Sequence, residues 1–202
     1  MAAGPVPKVG RIAGHLRRMI LAGELKEGMP LRQVMLSRRF GTSTIPLREA
    51  IRQLESEGLV TCQSYRGAVV APLDPMEFIV LMRIRLALER EALTFALPCH
   101  TAMSLERSRR LLRETAAERD ILRQLDKYCD FLASLYEPGV HPLMVAEIIK
   151  AARRSQRYIA LDDEIQQALP VGIPRFARIF DAIENRDLET AQADLGLLYQ
   201  HS

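Results

Sequence analysis

Gly23, Gly41 and Gly58 divide the first sixty residues into three stretches, each with apolar residues at helical spacing and none long enough for much more than about four turns. A chain punctuated in this way is held to short helices packed on one another. The first pattern predicts a helix over residues 9–22, with Ile12, Leu16, Ile20 and Leu21 on one side. After a loop, GELKEGMPL, a second helix is predicted over residues 31–40. It turns Leu31, Met35 and Leu36 inward and leaves Arg32, Arg38 and Arg39 outside.

The third stretch, TSTIPLREAIRQLESEGLV, is the most informative. Ser43 is placed to be an N-cap, and Pro46 falls in the first turn, where its missing N–H is not needed. From there the helix runs to near Gly58. Leu47, Ile51 and Leu54 share one side; Thr44, Arg48 and Arg52, four residues apart, share another. Behind it LVTCQSYRGAVVAP alternates β-prone residues, predicting a two-stranded ribbon with Arg66 and Gly67 near its tip. Helix, helix, tight turn, helix and ribbon make a winged helix-turn-helix.

APLDPMEF then marks a boundary. Asp74 as N-cap, Pro75 at the first helical position and Glu77 two residues later form a start resembling a capping box. The helix over residues 75–97 is apolar almost all round (Ile79, Val80, Leu81, Met82, Ile84, Leu86, Leu88), as in a helix inside a bundle or an interface. Helical patterns follow at residues 103–119, 121–136, 142–161, 173–185 and 188–200, without a second β segment. The expected fold is therefore mostly α: a winged helix-turn-helix domain over residues 1–73 and an all-α bundle of about six helices over residues 74–202.

Charge is unevenly shared. Residues 1–74 hold 11 Lys and Arg against 6 Asp and Glu, whereas the remainder holds 17 against 19. An anionic partner for the front part follows, nucleic acid first, against the plainer alternative of solvated helix faces. No stretch approaches the ~20 apolar residues of a membrane span, and MAAGPVPKVG has no apolar signal segment, so a cytoplasmic protein is expected. Cys62, Cys99 and Cys129 are widely spaced and suggest neither a disulfide framework nor a zinc cluster. No nucleophilic triad, phosphate loop or metal cluster can be assembled, so neither an enzyme nor a cofactor is expected.

The stretch ILAGELKEGMPLRQVMLSRRFGTSTIPLREAIRQLESEGLVTCQSYRGAVVAPL resembles the DNA-binding domain of the GntR transcriptional regulators, with PLREAI, LESEGLV and RGAVV in the family's order. MRIRLALEREALTFAL and RIFDAIENRDLETAQADL resemble the opening helix and closing pair of the all-helical FCD effector domain of the FadR-type branch. The resemblance implies that the third helix enters the major groove, with Arg48 matching the family's DNA-contacting arginine and Arg52 one turn on along the same face. Ser43, Arg32, Arg38 and Arg39 are then candidates for phosphate contacts, and Arg66 with Gly67 for an adjacent minor groove. One departure stands out: Thr44 occupies the place of the family's usual arginine after the serine, and Thr42 that of its usual valine, so base preference or affinity is expected to differ.

Many FCD domains hold a divalent metal with one Asp and three His. Here one register puts Tyr128 and Leu132 at the first pair, another puts Asp126 and Asp130 there, and the remaining positions fall on Arg175, Phe176 and Leu198. No metal is expected. His141 and His201 are expected to be loop and terminal residues, and Asp126, Cys129 and Asp130 helix-surface or core positions. Without a metal, a larger apolar effector or an acyl thioester is implied. Arg85, Arg153 and Arg157 are candidates to hold its anionic group, against the favoured alternative of surface ion pairs; loss of ligand sensing also stays open. The leading expectation is a homodimeric regulator of the repressor kind that binds double-stranded operator DNA, its bundle setting the spacing of two heads. The alternative is a helical protein–protein partner whose winged helix no longer reads DNA.

Overall fold

The computed structural model describes residues 8–65, 67–162 and 175–199. The chain divides into two compact units, Met1–Leu73 and Asp74–Ser202. The first contains α1 (Lys8–Leu21), α2 (Gln33–Arg39), α3 (Thr44–Ser56) and an antiparallel ribbon of β1 (Val60–Gln63) and β2 (Gly67–Val70). Its core is the meeting of two apolar stripes: Ile12, Leu16 and Ile20 of α1 against Leu47, Ala50, Ile51 and Leu54 of α3. Leu59, Val60, Val69 and Val70 close it from below the ribbon, whose register pairs Val60 with Val70 and Gln63 with Gly67.

Three details depart from the sequence-based expectation. Met35 is 63% exposed, because the seven-residue α2 turns only Leu36 and Ser37 inward. The segment before α2 is more than a loop: Gly28 N–H donates to the Val70 carbonyl at 2.9 Å, Leu31 N–H to the Ala68 carbonyl at 2.8 Å, and Pro30 bridges to Val69. Pro30, with no N–H, is tolerated because that side of the segment is an edge. Ser43 occupies the N-cap position of α3, but its side chain makes no capping bond. A feature not anticipated ties the two long helices together: Arg17 of α1 donates Nε to Glu57 Oε2 at 2.8 Å, with a second Nη2 bond to Oε1, just past the end of α3.

The second unit comprises α4 (Pro75–Cys99), α5 (Ala102–Ala117), α6 (Ile121–Tyr136), α7 (Pro142–Leu161), α8 (residues 175–184) and α9 (Leu188–Tyr199). The long α4 packs on α6, α7 and α9, and α5 lies on α6. Starts are capped: Asp74 accepts from Met76 N–H, Thr101 and Ser104 form a reciprocal capping box, Asp120 accepts from Arg123 N–H, and His141 Nδ1 accepts from Leu143 N–H. The expected capping role of Glu77 is corrected. Its carboxylate pairs with Arg154 and accepts from Tyr158 Oη at 2.8 Å, while the Asp74 N–H donates to that same hydroxyl at 3.4 Å.

The apolar residues that run almost all round α4 divide into a buried and an exposed side. Phe78, Leu81, Met82, Ala92, Leu93 and Ala96 are buried; Met76, Val80 and Ile84 are 63%, 48% and 44% exposed and lie four residues apart on an outer stripe. Among the described residues no helix is long and apolar enough to cross a membrane.

Two glycines with positive φ make a graded test. Gly41 (φ 57°) turns the chain between α2 and α3 with open space around it, whereas an added Cβ on Gly139 (φ 74°) would stand 2.5 Å from both the Phe95 carbonyl and Cys99 Sγ. Gly41→Ala is expected to destabilise by about 1–2 kcal/mol through backbone strain alone. Gly139→Ala adds the overlap with α4 and should reach about 3 kcal/mol or more; thermal melts of both variants check the order.

His100, 4% exposed at the end of α4, bonds through its ring to Ser104 and the Leu135 carbonyl. Burial, joined by the nearby Arg186 charge, lowers its pKa against the pull of the Leu135 bond. The unfolded chain therefore takes up the proton first as pH falls, so the stabilisation is complete above about 6.5 and is lost as pH drops through the lowered folded value. The melting temperature should fall between pH 7.5 and 5, and His100→Gln should reduce that dependence.

Candidate nucleic-acid interface and interior polar site

The solvent face of α3 follows from what its other face must do. With Leu47, Ala50, Ile51 and Leu54 buried, the 3.6-residue period leaves Thr44, Ile45, Arg48, Glu49 and Arg52 to water. All are exposed, Ile45 at 73%. Arg52 Nη1 lies 3.2 Å from Glu49 Oε1 in a pair open to solvent, which is worth little to stability. Arg32, Arg38 and Arg39 are exposed on and before α2, and Ser43 is exposed at the turn between the helices. Gly67 opens β2 at φ 69°, and Tyr65, fully exposed, precedes the tip; Arg66 lies outside the described residues. Two exposed side chains, Ile45 and Tyr65, were not singled out by sequence. Their signal is an apolar or aromatic residue at a position the helical or strand period assigns to solvent.

The interior of the helical unit holds a second arrangement. Arg85 and Glu89, one turn apart on α4, are 3% and 0% exposed, and Arg85 Nε donates to Glu89 Oε1 at 2.9 Å. Arg85 Nη2 donates to Tyr128 Oη at 2.7 Å, while Tyr136 and Tyr199 donate to Glu89 Oε2 and Oε1 at 3.0 and 2.7 Å. The guanidinium carbon stands 5.5 Å from the Tyr128 ring centre and 5.1 Å from that of Tyr199. Burial works against the Arg85 charge, and the surrounding Tyr128, Tyr199 and Glu89 outweigh it, so its pKa rises further. Burial likewise pushes the three phenols above their ordinary range, which keeps them neutral, Tyr136 and Tyr199 as donors to Glu89 and Tyr128 as the acceptor from Arg85.

This arrangement corrects the surface-ion-pair expectation for two arginines. Arg85 and Arg157 are buried at 3% and 1% exposure; Arg153 alone is partly open, with Nη1 3.9 Å from Asp126 Oδ1. The positions considered for metal do not form a ligand set. Tyr128 points to Arg85, Leu132 is fully buried, and Phe176 packs edge-on against Tyr128 and Phe131. Asp126 and Asp130 are exposed, and a fixed guanidinium beside Tyr128 repels a cation. Among the described residues no group of three or more His, Cys, Asp or Glu could hold a metal ion. His201 lies outside them.

Residues 8–70 match the family described as bacterial regulatory proteins, gntR family, and residues 80–200 match the FCD domain. The chain is similar to the galactonate operon transcriptional repressor of Escherichia coli, at 26% identity over 92% of this chain and 90% of that protein. It is 32% identical to the HTH-type transcriptional regulator YdhC of Bacillus subtilis over 44% of this chain; that alignment spans only 39% of the relative's length. A regulator structure from Rhodococcus sp. RHA1 shares the fold with a TM-score of 0.78 at 19% identity, covering 96% of this chain and 94% of that one.

The interior pair is testable apart from any ligand. Arg85→Met strands the Glu89 carboxylate in the core and should destabilise the protein by about 3–5 kcal/mol, while adding Glu89→Leu should restore most of the loss. Urea unfolding followed by circular dichroism separates the two variants.

Proposed function

The chain belongs to the gntR family of bacterial regulatory proteins, with an FCD domain behind its winged helix, and from that premise we propose that it is a sequence-specific DNA-binding transcriptional regulator acting by repression. The observation that carries the reading is the divided α3: one side locked into the core of its unit, the other presenting Thr44, Arg48 and Arg52 to solvent. In the proposal α3 lies in the major groove, where the planar Arg48 guanidinium is suited to a guanine edge and Arg52 follows one turn on. Arg32, Arg38, Arg39 and Ser43 make phosphate contacts, and the ribbon tip with Arg66 and Gly67 reaches the neighbouring minor groove. Similarity over nearly the whole chain to a protein named as an operon repressor supports repression.

The proposal has the first 73 residues as the DNA-binding domain and residues 74–202 as the domain that dimerises and takes an effector. The outer α4 stripe of Met76, Val80 and Ile84 supports a second copy of the chain as the dimer partner, since exposed apolar side chains in line favour such an interface. An effector acting on this unit does so without a metal. An anion reaching Arg85 competes with Glu89 and Tyr128 for its donors, so Arg153 is the more accessible anchor, with Arg157 further inside.

The test is selection of bound fragments from random DNA, then titration of the best fragment at two salt concentrations. The expected result is a two-fold site with half-sites about one helical turn or a multiple apart. Arg48→Ala should lower affinity for it roughly thirtyfold or more, at about 1–3 kcal/mol per half-site, with an unchanged melting temperature. Arg38→Ala should weaken all sequences alike and flatten the salt dependence. Weak binding without sequence preference would favour the reading as a protein–protein partner.

A further inference from the structure

We propose that Ile45 selects a thymine in each half-site by packing on its 5-methyl group in the major groove. The inference rests on the DNA-binding reading above and adds to it the base that the first turn of α3 prefers.

Ile45 is the second residue of α3 and is 73% exposed. Leu54, fully buried, follows nine residues later, about two and a half turns on, so the two side chains leave the helix on opposite sides. Ile45 therefore serves no part of the core, which Leu47, Ala50, Ile51 and Leu54 already fill. Its helical neighbours are Arg48 and Glu49, with Thr44 beside it; Arg38, Arg39 and Arg52 are exposed on the same pair of helices.

This setting decides the occupant. An apolar side chain one turn from Arg48, on a face that also carries Arg52, suits a polyanion that offers an apolar group, and duplex DNA offers one on its readable edge, the thymine methyl. Adenine, guanine and cytosine carry no methyl there. Ile45 is β-branched and helical, so its first torsion is largely fixed before binding, and little freedom is lost when it meets a flat target. Thr44 adds a second short side chain carrying a methyl and a hydroxyl. Where the family usually places a long arginine, this chain has the compact, branched Thr44, which leaves the neighbouring Ile45 room to bring its methyl groups to the base edge. Arg48 lies one turn away, about 5–6 Å between Cβ atoms, so the thymine falls within about two base steps of the base that Arg48 reads.

The experiment uses the full chain and the site obtained by selection. Each thymine is replaced in turn by deoxyuridine, which removes only the methyl, and affinity is measured for the protein and for Ile45→Ala. At one thymine per half-site the loss expected for the unaltered protein is about fourfold, the worth of one buried methyl, and about fifteenfold with both half-sites changed. Ile45→Ala should show no such loss at those positions and should melt at the same temperature, since the side chain is exposed. A site bound tightly with uracil throughout, or an equal loss in Ile45→Ala, overturns the methyl contact while leaving the regulator reading intact. Absence of any sequence preference overturns both.

Discussion

Burial of a single stripe of α3 governs the amino-terminal unit. Leu47 and Leu54 are fully enclosed, and with Ala50 and Ile51 they fix the rotation of the helix about its own axis. Once that rotation is set, the residues left to solvent are a matter of period, and no interaction on the outer face is required to hold them there. The Arg17–Glu57 pair fixes the far end of α3 to α1, and Gly41 sets the near end. A helix held at both ends and along one side presents its remaining side chains from a rigid support, the condition under which a few contacts can discriminate among sequences.

The helical unit is organised differently. Its α4 carries a charged pair where a bundle core would ordinarily be apolar, and Glu89 receives Arg85, Tyr136 and Tyr199 from three helices. Such an interior tolerates little partial disruption, because losing one donor leaves a carboxylate facing hydrocarbon. The network joins α4, α6 and α9 directionally, which apolar packing among the same helices does not do.

Much of this was legible in the amino-acid order. Glycine stops and helical spacing set the limits of α1 and α3 to within about two residues, and the β-prone run behind Gly58 is the ribbon. What escaped was decided by tertiary partners. Met35 keeps helical spacing yet is exposed, because α2 is too short to turn it inward; Pro30 hid the pairing of its segment with β2; and Glu77 answers to Tyr158 and Arg154, more than seventy residues away. Arg85 was expected to pair at the surface, although an opposite charge one turn on along a nearly apolar helix, Glu89, was a signal that the two travel inward together. On the outer face of α3 the arginines drew attention by their charge. Ile45 carried the less conspicuous signal of an apolar residue where the period demands a polar one.

The filled interior beside Tyr128 bears on how the unit meets its surroundings. A site completed by an ion from solution is a bimolecular equilibrium, emptied by dilution or by a competing chelator. Here the positive group is a guanidinium on the neighbouring turn of the same chain, delivered by folding itself. Its occupancy is unimolecular and does not vary with the supply of any ion, so this interior is as complete in a starved cell as in a replete one.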